Sequence, residues 1–408
     1  MSHAGAERGG FFGTGRVSIW RQTAVACVLA FLICLSLRAI GLLFWVNPNF
    51  YAVGGPLLPT PDAYGWVAGA QGTGRLSYKG LSHLIAFIHD LTGANLAVID
   101  FWLPVFMAPL VVIPVAILCA GWGAPEGAIL AGIMSGGAPA FLLRTRVGYG
   151  DTDILTLFLP MMFIVLLWLW LRPWFRDRGF PDLWQGLKAL WGRSESRAEP
   201  FGLTPSASSL RASWAFALLP AGLLRFHMWW HPESWVLLLG LAVGGAALAL
   251  LLDRGRRWQH VVGGLAIILA GGVAGRAGLV LCAAALLLAV ASPRTCRRVP
   301  VAAGLLGLAL VLVGWHTGRA GTLRFLYKPL LVYLKLIPAY GTGEGGILLP
   351  SVTRSVGEAE GMAFSEMLFQ VGFHGTIYAA GLAGLAWLIW RRAAALLLVP
   401  LLVLSVLA

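Results

Sequence analysis

Arg144-Thr145-Arg146-Val147-Gly148-Tyr149-Gly150-Asp151-Thr152-Asp153 joins two apolar segments, each long enough to cross a bilayer, and packs arginines, glycines and carboxylates into one short gap. Charge beside a hydrocarbon layer is costly, so such a cluster points to chemistry. A plainer reading stands beside that one. Asp is a preferred helix N-cap, and an apolar segment begins at Ile154 and Leu155, so Asp151 and Asp153 could do no more than start a helix. Arg144 and Arg146 could be ordinary charges at the membrane boundary.

The flanking sequence sets the class. Of 408 residues, 58% are hydrophobic and only 12% charged, the mean hydropathy is +0.79, and apolar runs of membrane-crossing length recur along the chain. The expected fold class is therefore an all-α polytopic membrane protein. Apolar segments at about 24–45, 97–120, 125–142, 153–172, 212–230, 235–252, 259–275, 277–292, 300–316, 374–390 and 393–408 give about eleven helices. The first follows Arg8, Arg16 and Arg21 but is too long for a signal peptide and lacks a small-residue cleavage site, so residues 1–19 read as a cytoplasmic tail ahead of an uncleaved span.

The net charge of +13 does not indicate nucleic acid, because the basic residues fall in short gaps between apolar runs rather than on a soluble face. The N-terminus, the 173–211 segment, Asp253–Trp258, Ser292–Arg298 and Arg391–Arg392 alternate onto one side, and their Lys/Arg excess makes that side cytoplasmic. The opposite side receives two long external loops, 47–96 and 317–373, and short ones at 143–152 and 231–234. Within 173–211, Leu183, Leu187, Leu190 and Trp191 share one helical face, which predicts an amphipathic helix on the cytoplasmic leaflet. Residues 192–209, rich in Ser, Pro and Arg, read as a linker. Cys27, Cys34, Cys119, Cys282 and Cys296 have no paired spacing and are expected to be free thiols.

Acidic residues from three distant loops share the external side: Asp62 in Pro61-Asp62-Ala63-Tyr64, the pair Asp151 and Asp153, and Glu358 in Ser355-Val356-Gly357-Glu358-Ala359-Glu360. Carboxylates gathered at a water–lipid boundary need a cation to coexist. Oxygen-only ligation suits Mg²⁺ or Mn²⁺, ions that commonly bridge to phosphate oxygens.

Four blocks in order carry a resemblance. Arg144–Pro160 resembles the second external loop and fourth span of oligosaccharyltransferase catalytic subunits, in particular the bacterial single-subunit type. Asp62–Ala70 is similar to that family's first-loop aspartate block, Trp229-Trp230-His231-Pro232-Glu233-Ser234-Trp235 to the hinge between its fifth and sixth spans, and Ser355–Glu358 to its fifth-loop motif. The resemblance covers about residues 20–408. It implies a GT-C type glycosyltransferase transmembrane domain in a bacterial inner membrane, with its active site facing the periplasm. It also implies transfer of an oligosaccharide from a polyprenyl-pyrophosphate donor to asparagine in an Asn-x-Ser/Thr sequon of an exported polypeptide.

By the same resemblance Asp62, Asp151, Asp153 and Glu358 would hold Mg²⁺ or Mn²⁺. Asp62 and Glu358 would act on the acceptor amide, and Arg144, Tyr327, Trp229 and His231 would contact the donor. The aromatic members are also ordinary interfacial anchors. Arg225 and His227 would border the donor groove, although snorkelling explains the arginine equally. The family's C-terminal periplasmic domain, with its Trp-Trp-Asp motif, has no counterpart in these residues, so a truncated sequence, a second polypeptide supplying the domain, or an inactive remnant are the alternative expectations. An arginine that pairs with an acidic residue two before the acceptor asparagine in many bacterial relatives is replaced by Met367-Leu368-Phe369-Gln370. Another polyprenyl-phosphate-dependent GT-C enzyme is disfavoured by the Asp-Thr-Asp pair and the fifth-loop glutamate. A secondary transporter would keep its ionisable residues at the midplane, commonly with inverted repeats, and no repeat is visible.

Overall fold

The computed structural model describes residues 16–52, 55–74, 76–77, 79–175, 178–190, 207–231, 235–253, 257–272, 276–290, 369 and 374–402. Tyr327, Glu358, Glu360, the expected span at 300–316 and nearly all of the 317–373 loop lie outside them. The described residues are overwhelmingly helical and divide into two compact units.

The first unit comprises residues up to Val165 together with Trp229–His231. Helix α1 (Arg16–Ala39) tightens into a 3₁₀ turn over Ile40–Val46, and Ile19–Val46 is one of three described helices long and apolar enough to cross a membrane. The others are Leu96–Gly121 and Thr152–Phe175. Leu96–Gly121 consists of α4 (Leu96–Met107), a 3₁₀ turn at Ala108–Val111 and α5 (Val112–Gly121). Ala30 and Cys34, one turn apart on α1, face Gly132 and Gly136 of α6 (Gly127–Gly137). A Cβ at Gly136 would stand 2.6 Å from the Cys34 sulfur, so small residues four apart on both helices let the backbones approach.

The single span expected over 125–142 is instead two helices. Ala138 takes φ −51° and ψ 131° because Pro139 follows it and excludes the helical conformation, and α7 (Pro139–Arg144) restarts beyond the break. The segment expected as the first external loop is also structured. Tyr51–Ala52 (β1) and Gly55–Pro56 (β2) pair antiparallel, and α2 (Pro61–Ala70) and α3 (Gly80–Thr92) follow. Thr60 caps α2 by accepting from the Ala63 amide at 3.2 Å, with Pro61 in the first turn, where its missing N–H costs nothing.

The second unit runs over Leu166–Met228 and from Pro232 onward. It contains the later turns of α8 (Phe158–Phe175), then α9 (Phe180–Leu190), most of α10 (Ala207–Trp230), α11 (Trp235–Leu252), α12 (Trp258–Gly272), α13 (Arg276–Val290) and α14 (Gly375–Arg391). The segment expected as a span at 393–408 opens as a 3₁₀ turn, Ala393–Leu398. The glycines of α12 make its groove: Gly263 lies against the Trp214 ring, Gly264 against Trp170, and Gly271 against the backbone of Ala221. A methyl group at Gly271 would fall onto the Ala221 carbonyl, which cannot rotate away. Gly271→Ala is expected to cost about 1–3 kcal/mol, seen as a lower unfolding temperature in detergent. Gly240→Ala, which meets open space, is the control.

The amphipathic helix appears as α9, but it lies on protein as well as facing outward. Gly186 abuts the Leu251 carbonyl, and Phe180 stacks on Trp390 at 6.1 Å. Arg178 donates to the Leu252 carbonyl, and the Ala393 amide donates to the Arg178 carbonyl at 2.8 Å. Three gaps assigned from charge to one side of the membrane therefore meet at one end of this unit. Among the described cysteines none is disulfide-bonded.

Candidate active site

An apolar cluster assembles the site. Ala63 beside Asp62, Val147 of the 144–153 stretch, and Phe101 and Val105 of α4 form one buried group with Leu58, flanked by Trp45 and Trp102. Burying these side chains draws the Leu58–Ala63 segment and the charged stretch onto the same part of α4. The Gly148 amide donates to the Phe101 carbonyl at 2.9 Å. Gly148 has φ +84°, and a Cβ there would stand 2.8 Å from the Trp45 ring, so both backbone conformation and space require glycine.

Asp151 is N-cap of a 3₁₀ turn, Thr152–Leu155, and accepts from the Thr152 amide at 2.6 Å and more weakly from its hydroxyl at 3.3 Å. The capping role is thus real, though it serves a 3₁₀ turn rather than an α-helix. It does not account for the charges around Asp151. Burial first, then Asp153 and, more weakly, Asp62 push the Asp151 carboxyl above the ordinary range, while the Thr152 hydrogen bonds pull it down. Asp62 and the Asp151–Asp153 pair, eighty-odd positions apart in sequence, therefore share one electrostatic environment.

Asp62 is exposed in the first turn of α2. Asp153 accepts from Arg144 at 2.8 Å through one oxygen and from the Thr156 hydroxyl at 3.2 Å through the other. Arg144, expected to face the donor, is thus engaged by Asp153 in this structure. Its side chain is 52% exposed, so the pair is weak enough for a phosphate to compete for the guanidinium. Arg146 lies over the Tyr149 ring at 3.9 Å, and burial lowers its pKa.

Trp230 is buried at 2% exposure, and its indole N–H donates to the Thr152 carbonyl at 3.1 Å. Trp229 is half-exposed and stacks on His83 of α3 at 5.8 Å. Gly80 permits this, because a Cβ there would stand 3.1 Å from the Trp230 backbone. His231 is part-buried beside them, Arg225 is exposed and His227 is buried. The Trp229–His231 turn thus belongs to the unit that holds Asp151.

Two buried ionisable residues in the spans are absent from the sequence-based set. Arg38 of α1 has no exposed surface; it donates to the Thr145 hydroxyl at 2.7 and 3.1 Å and to the Cys34 carbonyl at 3.1 Å, and lies 5.2 Å from the Phe141 ring centre. It anchors the end of α7 from which Arg144 and Arg146 project. Asp100 of α4 is also fully buried. A lone charge inside an apolar span was the available signal for both.

No group of three or more His, Cys, Asp or Glu side chains among the described residues stands close enough to hold a metal ion. Asp62, Asp151 and Asp153 supply oxygen donors only, the chemistry a hard divalent cation takes. They remain an open set that Glu358, outside the described residues, would have to complete.

Known proteins share part of this sequence and its fold. The family model described as oligosaccharyl transferase STT3, N-terminal, matches residues 69–176, a range that includes Asp100, Arg144, Asp151 and Asp153. Undecaprenyl-diphosphooligosaccharide–protein glycotransferases from two strains of Campylobacter jejuni are each 22% identical over 346 residues, 84% of this chain and 42% of theirs. The chain therefore spans less than half the length of these curated relatives. Among solved structures, the archaeal oligosaccharyltransferase AglB from Archaeoglobus fulgidus, in complex with an inhibitory peptide and a dolichol-phosphate, aligns with a TM-score of 0.52. That alignment has 13% identity and covers 94% of this chain and 50% of that one, a likeness of fold.

Proposed function

We propose that the chain is a member of the oligosaccharyltransferase family and provides the transmembrane catalytic part of an enzyme moving an oligosaccharide from a polyprenyl-pyrophosphate onto asparagine of an exported protein, a reading supported by the family-model match and the Campylobacter relatives. One observation supports this reading above the others: Asp62 from the first external loop and Asp151 with Asp153 from the second share one electrostatic environment, although nothing in local sequence links them. The membrane is a bacterial inner membrane and the carboxylates face the periplasm, where the lipid-linked donor and the emerging acceptor meet.

Asp62, Asp151 and Asp153 would hold Mg²⁺ or Mn²⁺ with Glu358. Such an ion, when bound, neutralises charge building on the departing pyrophosphate oxygens. The chain's own residues supply the rest. Asp62 and Glu358 accept hydrogen bonds from the acceptor NH₂ and turn it out of conjugation with its carbonyl, freeing a lone pair that is otherwise delocalised. Arg144 exchanges Asp153 for a donor phosphate and stabilises the leaving group. Trp229 and His231 flank the donor, as does Tyr327 from the segment outside the described residues.

The test is transfer from a polyprenyl-pyrophosphate oligosaccharide to an Asn-x-Thr peptide with Mn²⁺, using the purified chain alone and together with the polypeptide encoded immediately downstream. Metal-dependent transfer in either arm that disappears in Asp62→Ala supports the reading. Transfer in neither arm overturns it. The Met367–Gln370 neighbourhood, which carries no arginine, predicts a relaxed sequon. Peptides with and without an acidic residue two before asparagine should be used within about threefold of one another, less than an ion pair contributes at most. Strict dependence on that residue would refute the prediction.

A further inference from the structure

Asp100 is a buried ionisable group at this site for which the reaction gives no role. It lies in the second turn of α4 with no exposed surface, and neither carboxylate oxygen has a hydrogen-bond partner among the described residues. A buried carboxylate in that condition is expensive and persists where something else depends on it. The sequence makes the place more polar still, because Pro104 has no N–H and so removes the helical donor to the Asp100 carbonyl.

What the carboxylate faces is specific. Of the described glycines in the charged stretch, Gly150 is the one whose added Cβ would fall directly onto Asp100, meeting its carboxyl carbon and both oxygens. Gly150 does not have a left-handed φ. Its glycine is therefore explained by the space Asp100 occupies and not by backbone conformation, in contrast to Gly148. Gly150 immediately precedes Asp151, so the Asp100 carboxyl is packed directly behind the backbone that carries Asp151. The Gly148 amide bonded to the Phe101 carbonyl holds the two segments in this register from the next residue along α4.

The geometry points to Asp100 as a positioning residue of the cation site, a buried carboxylate set behind Gly150–Asp151 that fixes the loop and adds negative potential where the cation binds. The inference rests on the proposed cation site. Asp100 acts through Asp151 and need not touch the ion. Among the described residues no hydrogen-bonded cation offsets its charge, and it stands in an apolar helix, where potential is poorly screened. Outer groups that orient and polarise ligands commonly alter metal affinity by about ten- to a hundredfold.

The experiment measures Mn²⁺ binding to the purified chain by the loss of free-ion electron paramagnetic resonance signal, and thermal unfolding in EDTA and in Mn²⁺. Asp100→Asn keeps the shape and removes the charge. It is expected to unfold in EDTA at or above the wild-type temperature, since a buried acid without a hydrogen-bond partner is gone, while Mn²⁺ dissociates about ten- to a hundredfold more readily and its stabilising shift shrinks. A merely structural role would do the reverse, lowering the metal-free unfolding temperature and leaving affinity alone. Asp100→Ser, smaller and also neutral, carries the same expectation should the asparagine variant fold poorly. If wild type binds Mn²⁺ in a manner abolished by Asp151→Asn, yet both Asp100 variants bind within about twofold of wild type, the inference fails and the cation site stands. If wild type binds none, the cation site fails and the inference with it.

Discussion

Asp151→Asn is expected to lower the initial rate of oligosaccharide transfer on the order of a hundred- to a thousandfold, the scale on which loss of one charged stabiliser of a transition state is felt. The substitution separates the two roles that Asp151 carries. Asparagine is as good an N-cap as aspartate, and its side-chain oxygen can still accept from the Thr152 amide at the present 2.6 Å. The 3₁₀ turn therefore survives, and the unfolding temperature should move little. What disappears is the negative charge that burial, Asp153 and Asp62 all disfavour and that a fold would not retain for capping alone. Asp151→Ala, which loses the cap as well, should show the same kinetic loss plus about 1 kcal/mol of destabilisation. An Asp151→Asn variant that transfers at near wild-type rate would reduce Asp151 to a helix-starting residue.

The second large effect falls on stability. Trp230→Ala is expected to cost about 3–5 kcal/mol, the range for truncating a buried tryptophan, and to disturb the Asp151 loop. The indole is 2% exposed, its N–H bonds the Thr152 carbonyl, and its backbone is so close to Gly80 that α3 and the Trp229–His231 turn are fitted to each other. Trp230→Phe isolates the polar part: most packing is kept and the hydrogen bond is lost, with a cost of about 1 kcal/mol. Thermal unfolding of the three proteins in one detergent gives the order wild type, Phe, Ala. If the alanine variant unfolded within a degree or two of wild type, Trp230 would not be holding this turn in place. The neighbouring Trp229, half-exposed on His83, is the contrast, since its loss should spare stability and act on donor use.

Sequence alone determined the class and most of the elements. Apolar runs too long for a soluble core, interrupted by basic gaps, allow only helices in a bilayer, because hydrocarbon offers backbone groups no other partner. Asp62, Arg144, Asp151 and Asp153 were legible for a related reason: charge is so rare in this chain that each loop carboxylate stands out. Local rules also offered the Asp151 cap.

Tertiary structure decided which of these residues meet. Ala63, Val147 and Phe101 look like ordinary apolar positions in the sequence, yet their shared burial draws the segments of Asp62 and of the Asp151–Asp153 pair together, and no local pattern encodes that approach. The break of the 125–142 segment at Ala138, by contrast, is a local effect of Pro139 that the continuous hydropathy masks. Gly150 and Gly148 are indistinguishable as letters. One answers to its own positive φ and the other to the Asp100 carboxylate some fifty residues away, because a buried side chain claims space on any backbone folded against it.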